Sequence, residues 1–414
     1  MGFGQALSGL NAASQNLDVI GNNIANSATV GFKGATATFA DVFASSRGLG
    51  TQVAAVNQRF TIGTVAITGN QFDMAIDGAN GLFRVLDTSG AVMYTRNGQF
   101  SANEEGFLVN AQGHRLTGFM DDPASGVRGT VPTPIQVPSG NIAPRATGTH
   151  PDATQAGVRV KFNLDQAEQT PAVGWGTNLP APAVNTPDPG SYNHVVRMTV
   201  YDSLGKDHQL TQYFRKTGTN QWAVYYQLNN DPVATAPSPF PVSFGSDGTL
   251  TAASETTSVN FGAIAGSDPL IVPISYKDST QFAGDFGYTF KQDGYPTGAY
   301  ASMAIAPDGK IIASYTNGET QEMGELVLAN FANVQGLQAV GGNAWVETAQ
   351  SGQPLLGTPG TNGLASIVGQ AVEESNVDMS QELVNMIIAQ RTYQANAQTI
   401  KTQDQLLQTL ITMR

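Results

Sequence analysis

The sequence predicts a mixed, mainly β protein, with two or more β-rich domains set between long α-helical segments at its two ends. Three observations carry this reading. All 21 prolines lie between Pro123 and Pro359, so neither the first 122 residues nor the last 55 contain one. The final glycine is Gly369, which leaves residues 370–414 free of both helix breakers. Between the ends, short runs rich in β-branched and aromatic residues alternate with turn dipeptides.

The amino-terminal helix is read from a three–four spacing. Phe3, Leu7, Leu10, Leu17 and Ile24 share one stripe, Ser14 and Gly21 fill its gaps, and Ala13 and Ile20 widen it. Asn22, Asn23 and Asn26 then lower helix propensity, and Gly31 and Gly34 break the pattern. The rest of residues 1–72 reads as an extended stretch.

The middle of the chain reads as strands. Examples are 82–86, 195–201, 222–227 and 311–315, punctuated by Asp77-Gly78, Asn97-Gly98, Asp247-Gly248, Asp308-Gly309 and Asn317-Gly318, which predict hairpin turns. Eleven prolines crowd into 123–189, a tract that predicts an extended boundary between one β domain and the next. Spacing of this kind suits sandwich or barrel-like domains.

At the carboxyl end, Asp378 with Gln381 forms a capping-box start, with Ser375 and Asp378 as an earlier alternative. Leu383, Met386, Tyr393, Ala397, Ile400, Leu407 and Ile411 then recur at heptad spacing, with Gln390 and Asp404 as polar members of the seam. About 35 residues make a rod of roughly 50 Å. Two such helices could pack on each other or on the β body. Alternatively, a seam this thin in large side chains, with Ala389, Ala395, Ala397 and several glutamines, is covered by neighbours from other molecules.

Composition narrows the function. The net charge is −12, which argues against nucleic acid as a partner. Residues 1–72 carry +1 and residues 373–414 carry −2, so the acidic charge belongs to the body between them. With no cysteine there is no disulfide scaffold, thiolate metal site or cysteine nucleophile. No run approaches the roughly 20 apolar residues of a membrane-spanning helix, so no membrane insertion is expected. The first basic residue is Lys33, so the amino terminus lacks the positive start of a cleaved secretory signal. His114, His150, His194 and His208 are scattered without ligand spacing, and Asp73 and Asp77 are too few for a calcium site. Ser203 and Lys206 formally match S-x-x-K, but their surroundings read better as a hairpin turn. No catalytic residue, metal or cofactor is expected.

Residues 16–27, Asn-Leu-Asp-Val-Ile-Gly-Asn-Asn-Ile-Ala-Asn-Ser, followed by Gly31-Phe32-Lys33, closely resemble the amino-terminal motif of the bacterial flagellar axial family of rod, hook and junction proteins. The other end, Ser375-Asn376-Val377-Asp378 through Glu382-Leu383-Val384 to Ala389-Gln390-Arg391-Thr392-Tyr393-Gln394-Ala395-Asn396-Ala397, resembles the matching carboxyl-terminal motif. Residues 68–78, Thr95-Arg96-Asn97-Gly98 and 328–333 resemble the family's first β domain. The match spans about residues 1–120 and 290–414, and the large insert between them is most like that of the hook type. Gly2 and Gly4 depart from the serines often found at the start.

That resemblance implies a nested architecture. Residues 1–72 and 373–414 would form an inner domain whose helices make a coiled-coil layer lining a channel. A middle β domain would comprise 73–147 and 293–372, with an outer β domain, 148–292, inserted into it. It implies a structural subunit, not an enzyme, that polymerises with itself into a curved helical tube passing torque from rod to filament. The inner helices would hold that tube through Phe3, Leu7, Leu10, Leu17, Ile20, Ile24, Leu383, Met386, Tyr393, Ile400, Leu407 and Ile411. They would be disordered before assembly, because their apolar faces lack a cover. Asn22, Asn23, Asn26, Gly31, Phe32, Gln390, Arg391 and Tyr393 would be the family-motif residues. Phe3 and Leu7 would also serve as an export element for the flagellar type III apparatus, with no cleaved signal. The implied partners are distal rod proteins, hook–filament junction proteins, the hook cap and the export apparatus, and the implied location is the hook of the flagellum. A distal rod or junction subunit is the nearest alternative, and a secreted β-rich adhesin or enzyme is the alternative of another class.

Overall fold

Two long helices and a long hairpin belong to the chain ends. The computed structural model describes residues 3–44, 47–122, 127–138, 140–176, 186–229, 239–264 and 266–412. Helix α1 spans Phe3–Ala25 and is followed by strands β1 (Ala35–Ala44), β2 (Arg47–Gln58), β3 (Val65–Ile67) and β4 (Met74–Asp77). Helix α2 spans Met379–Thr412. Asp378 caps α2, its Oδ1 accepting the Ser380 and Gln381 amides at 2.9 and 3.2 Å. At the end of α1, the Asn22 carbonyl accepts both the Asn26 amide, at 3.1 Å, and Asn26 Nδ2, at 2.9 Å. Gly31, at φ 70°, then turns the chain.

The stretch after α1 is more than extended. β1 and β2 pair antiparallel from Ala35↔Gln58 onward, and β2 lies against α1, where the Thr51 amide donates to Ser8 Oγ at 3.3 Å. The hairpin was hidden in the sequence because 35–58 carries none of the usual two-residue turn signals.

Chain contacts divide the molecule into two units. The first comprises Met1–Ser139, Ala301–Ser314 and Thr320–Arg414. Its largest sheet passes through 320–326, 115–120, 82–86, 92–95, 344–346 and 338–341 in that spatial order. Leu82, Tyr94, Ala329, Phe331 and Trp345 pack on one side of it, with Tyr94 edge-on to Phe331 at 4.8 Å. β3 and β4 pair with Ala371–Glu373 and Ser366–Gly369, so the chain returns alongside its own beginning just before α2. Two of the expected hairpin turns are not turns of that kind. Gly78 ends β4, and Gly98 lies so close to the Met74 carbonyl that an added Cβ would stand 1.6 Å from its oxygen. Asp308-Gly309 and Asn317-Gly318 do form tight turns, each glycine having positive φ.

The second unit, Gly140–Tyr300 with Tyr315–Glu319, is a β-sandwich. One four-stranded sheet orders 256–263, 269–275, 158–163 and 287–292, and the other orders 194–201, 207–218, 221–228 and 240–243. Alternate residues of both sheets meet in one core that includes Val160, Phe162, Val196, Met198, Phe214, Trp222, Val224 and Val272. Phe162 lies at its centre, with edge-on contacts to Phe214, Phe244 and Tyr276. Tyr226, Tyr276 and Gln212 share a buried chain of two 2.9 Å hydrogen bonds. Residues 203–206 form the turn of a hairpin, where the Asp202 carboxylate accepts the Leu204 and Lys206 amides at 2.9 Å each. Ser203 and Lys206 are therefore turn residues, as their surroundings suggest.

Truncating Phe162 to alanine removes three aromatic contacts from a closed core. The expected cost is about 3–5 kcal/mol, seen as a lowered unfolding midpoint of the sandwich in urea with an unchanged slope.

Candidate assembly surface

The helical ends are built so that small and polar side chains, not the apolar stripe, join them. Asn23 Nδ2 reaches Glu382 Oε1 at 3.3 Å, and Gly9 sits against Asn396, whose side chain would be 3.0 Å from a Cβ there. The contact late in α1 falls early in α2 and the one early in α1 falls late in α2, so the helices run antiparallel. The buried positions of α1 are Ala6, Ala12, Ala13, Ile20 and Asn23, and those of α2 include Glu382 and Ala389. Ala6, Gly9, Ala13, Asn16, Ile20 and Asn23 follow three–four spacing one residue before the apolar stripe, a rotation of about 100°.

Among the described large side chains expected on the stripe, Ile20 is fully buried and the others are not. Phe3 is 50% exposed, Leu383 46% and Leu407 54%, and Leu7 and Tyr393 are also exposed. Leu10, Leu17, Ile24, Met386 and Ile400 are half-buried. Ile411 lies in α2, but its side chain is outside the described residues. Val384, Ile387, Ile388 and Leu406 extend the open apolar surface of α2. A groove of about 730 Å³ opens between α1, the β1–β2 hairpin and α2, with walls that include Gly9, Ala13, Ile20, Phe39, Ala389 and Asn396. In this register α2 runs past Phe3 for about ten residues, or roughly 15 Å.

The family-motif residues divide by location. Asn23 is buried, and its side chain joins three elements: Oδ1 accepts the Ala35 amide at 2.9 Å, and Nδ2 donates to the Ala35 carbonyl at 2.8 Å as well as to Glu382. Asn22 and Asn26 bond each other at the end of α1. Gly31 packs on the Arg96–Asn97 backbone, where a Cβ would stand 2.6 Å from the nearest atom, and Phe32 is half-buried beside it. Gln390, Arg391 and Tyr393 are exposed on α2.

The sequence reading missed a buried charge cluster beneath the helices. Glu373 Oε1 lies 2.5 Å from Lys33 Nζ, and Glu373 Oε2 lies 3.0 Å from Arg96 Nη1. The Lys33 and Glu373 side chains have no exposed surface, and Arg96 is 2% exposed. The excess positive charge is met by carbonyls: Lys33 donates to Thr61 at 2.7 Å, and Arg96 donates to Gly78 and Ala79 at 3.0 and 2.7 Å. Burial pushes the Lys33 ammonium and the Arg96 guanidinium below their usual values, against the pull of Glu373. Nearby, Asn376 Oδ1 accepts the Gly34 amide at 2.8 Å while its Nδ2 donates to the Arg59 carbonyl at 2.6 Å. Arg59 Nη2 also pairs with Glu382 at 3.0 Å. The available signal was the placement of Lys33, Arg96 and Glu373 inside apolar or glycine-flanked stretches of a chain with few charges.

Among the described residues there is no group of three or more His, Cys, Asp or Glu side chains set to hold a metal ion, and no helix is long and apolar enough to cross a membrane.

Replacing Glu373 by glutamine leaves two buried cations without a counter-charge. The expected loss is about 3–5 kcal/mol from the first unit, measured by denaturant unfolding, with the sandwich transition unmoved.

Four family models match in chain order. They are "Flagella basal body rod protein" at residues 5–33, "Flagellar hook protein FlgE/F/G D1 domain" at 75–158, "Flagellar basal body protein FlaE D2 domain" at 163–295 and "Flagellar basal body rod FlgEFG protein C-terminal" at 368–413. The flagellar hook protein FlgE of Escherichia coli K12 is 45% identical over 423 residues, covering 100% of both chains. That of Salmonella typhimurium is 44% identical, again with complete coverage of both. That of Borreliella burgdorferi is 30% identical and covers 99% of this chain and 98% of its own. The crystal structure of Helicobacter pylori flagellar hook protein FlgE2 shares the fold, with a TM-score of 0.52 at 14% identity, over 74% of this chain and 98% of that one. With these full-length matches over an ordered set of rod, D1, D2 and C-terminal segments, the chain belongs to the flagellar hook protein FlgE family.

Proposed function

We propose that this protein is the structural subunit of the bacterial flagellar hook, polymerising with itself into a curved helical tube that passes torque from rod to filament. One observation carries the reading. The intrachain helix seam uses small and polar side chains, so Phe3, Leu7, Leu383, Ile387 and Leu407 remain open to solvent. A stripe of this kind is costly on a monomer and is relieved when neighbouring copies cover it. The projecting end of α2 adds to this, because its last turns have no α1 beside them.

In this reading α1 and α2 of many copies form a coiled-coil inner layer, and residues 1–72 with 373–414 form the inner domain. Residues 73–147 with 293–372 form the middle domain and 148–292 the outer one. The acidic outer surfaces touch weakly enough to slide as the tube turns. Distal rod, hook–filament junction, hook cap and type III export proteins are the partners, and Phe3 with Leu7 forms the export element before it joins the helix stripe. The family-motif residues split their work, with Asn23 and Gly31 shaping the subunit and Gln390, Arg391 and Tyr393 facing other copies. The hook reading stands above the rod or junction alternative because full-length relatives carry the hook name.

The test is the double substitution Leu383→Asp with Ile387→Asp, purified and followed by sedimentation and electron microscopy. Burying each leucine or isoleucine is worth about 1.5–3 kcal/mol, so the concentration needed to polymerise should rise more than about tenfold. The sandwich and middle β domain should unfold as before, and motility should not return to a hook-deficient strain given the variant. Normal polymers would remove the stripe from the assembly surface. In the free subunit, limited proteolysis should clip α1 and α2 before the β domains, and polymerisation should protect them.

A further inference from the structure

Three chain segments join the α1, hairpin and α2 layer to the middle β sheets: residues 26–34, 59–64 and 373–378. The charge cluster lies where these three run together. Glu373 Oε1 accepts from Lys33 on the first segment and from the Gly63 amide on the second at 2.8 Å, while its own carbonyl accepts the Gly31 amide at 2.7 Å. Asn376, three residues on, repeats the pattern with Gly34 on the first segment and Arg59 and Thr61 at the second. Arg96 holds Glu373 from the β domain. Each segment is thus bonded to both others, and the bonds at Glu373 are closed to water.

We propose that this crossing is a charge-locked rigid coupling, through which the β domain holds the helical layer at one fixed setting in the free subunit and in the polymer alike. A hinge needs backbone free to absorb dihedral change, and here the amides of Gly31, Gly34 and Gly63 are all held by side chains or carbonyls of the third segment. Fraying of the helices in the free subunit therefore stops at this crossing, and bending of the tube takes place elsewhere in the subunit. The role in the polymer rests on the proposed function above, but the local rigidity does not.

The test is hydrogen exchange on the free full-length subunit, comparing wild type with Asn376→Ala and Glu373→Gln. Asn376→Ala is the milder change, since it removes the clamp without stranding a buried charge. In wild type the Gly31, Gly34 and Gly63 amides should exchange as slowly as those of strand 82–86, while α1 amides exchange faster. Each variant should speed the three glycine amides by at least about tenfold and leave the 194–228 strands unchanged. Polymers of either variant should have a shorter persistence length by electron microscopy. A variant that no longer polymerises is judged on exchange alone. Glycine amides that exchange with α1 in wild type, or variants with faster exchange and unaltered polymer stiffness, would overturn the proposal.

Discussion

The carboxylate of Glu373 is the contact on which the first unit depends. It is buried with two cations taken from positions 340 and 277 residues earlier in the chain. Coulomb attraction between bare ions in a protein interior is offset by the cost of removing each from water, so the pair energies alone do not make the site favourable. What settles the balance is the completeness of the surrounding bonds: Gly63 on the carboxylate, Thr61 on the ammonium, Gly78 and Ala79 on the guanidinium. A partial version of this cluster would be worse than none. The cluster thus closes only when both ends of the chain are present, and this is how residues so distant in sequence come to specify one geometry.

The helical layer follows a different rule. Ala6, Gly9 and Ala13 let α1 come close to α2 and to the β2 backbone, but they bury little apolar area and so contribute little stability by themselves. Larger side chains that could have made a strong intrachain seam point elsewhere. In the reading proposed above, the apolar area left open on the single subunit is what neighbouring copies cover, and a heterologous contact that does not close on itself gives a helical polymer.

The sandwich needs no such partner. Its two sheets share a continuous aromatic and aliphatic core, and its buried polar atoms Tyr226, Tyr276 and Gln212 bond one another. Outside, the chain is acidic and sparse in charge, which suits surfaces that meet and separate without locking. Stability inside and weak contact outside follow from the same alternation along each strand.

By itself, the sequence determined the gross plan. Proline exclusion marked both terminal helices and glycine exclusion marked the second, because these residues act on the backbone locally and leave a mark that needs no tertiary context. Asp378 was readable as the start of α2 for the same reason, and the turns at Gly205, Gly309 and Gly318 were readable from positive-φ chemistry. The paired terminal motifs made the family legible, and the heptad stripe pointed to surfaces that want covering. Only the tertiary structure decided which face of each helix is spent inside the subunit, because a helix with apolar and small faces side by side can seat either one. It also decided that residues 35–58 form a hairpin and that Asn97-Gly98 serves close packing against Met74 instead of a turn. The cluster of Lys33, Arg96 and Glu373 was least legible of all: the apolar or glycine-flanked surroundings of each charge hint at burial, but pairing across hundreds of residues leaves no periodic trace of which charge meets which.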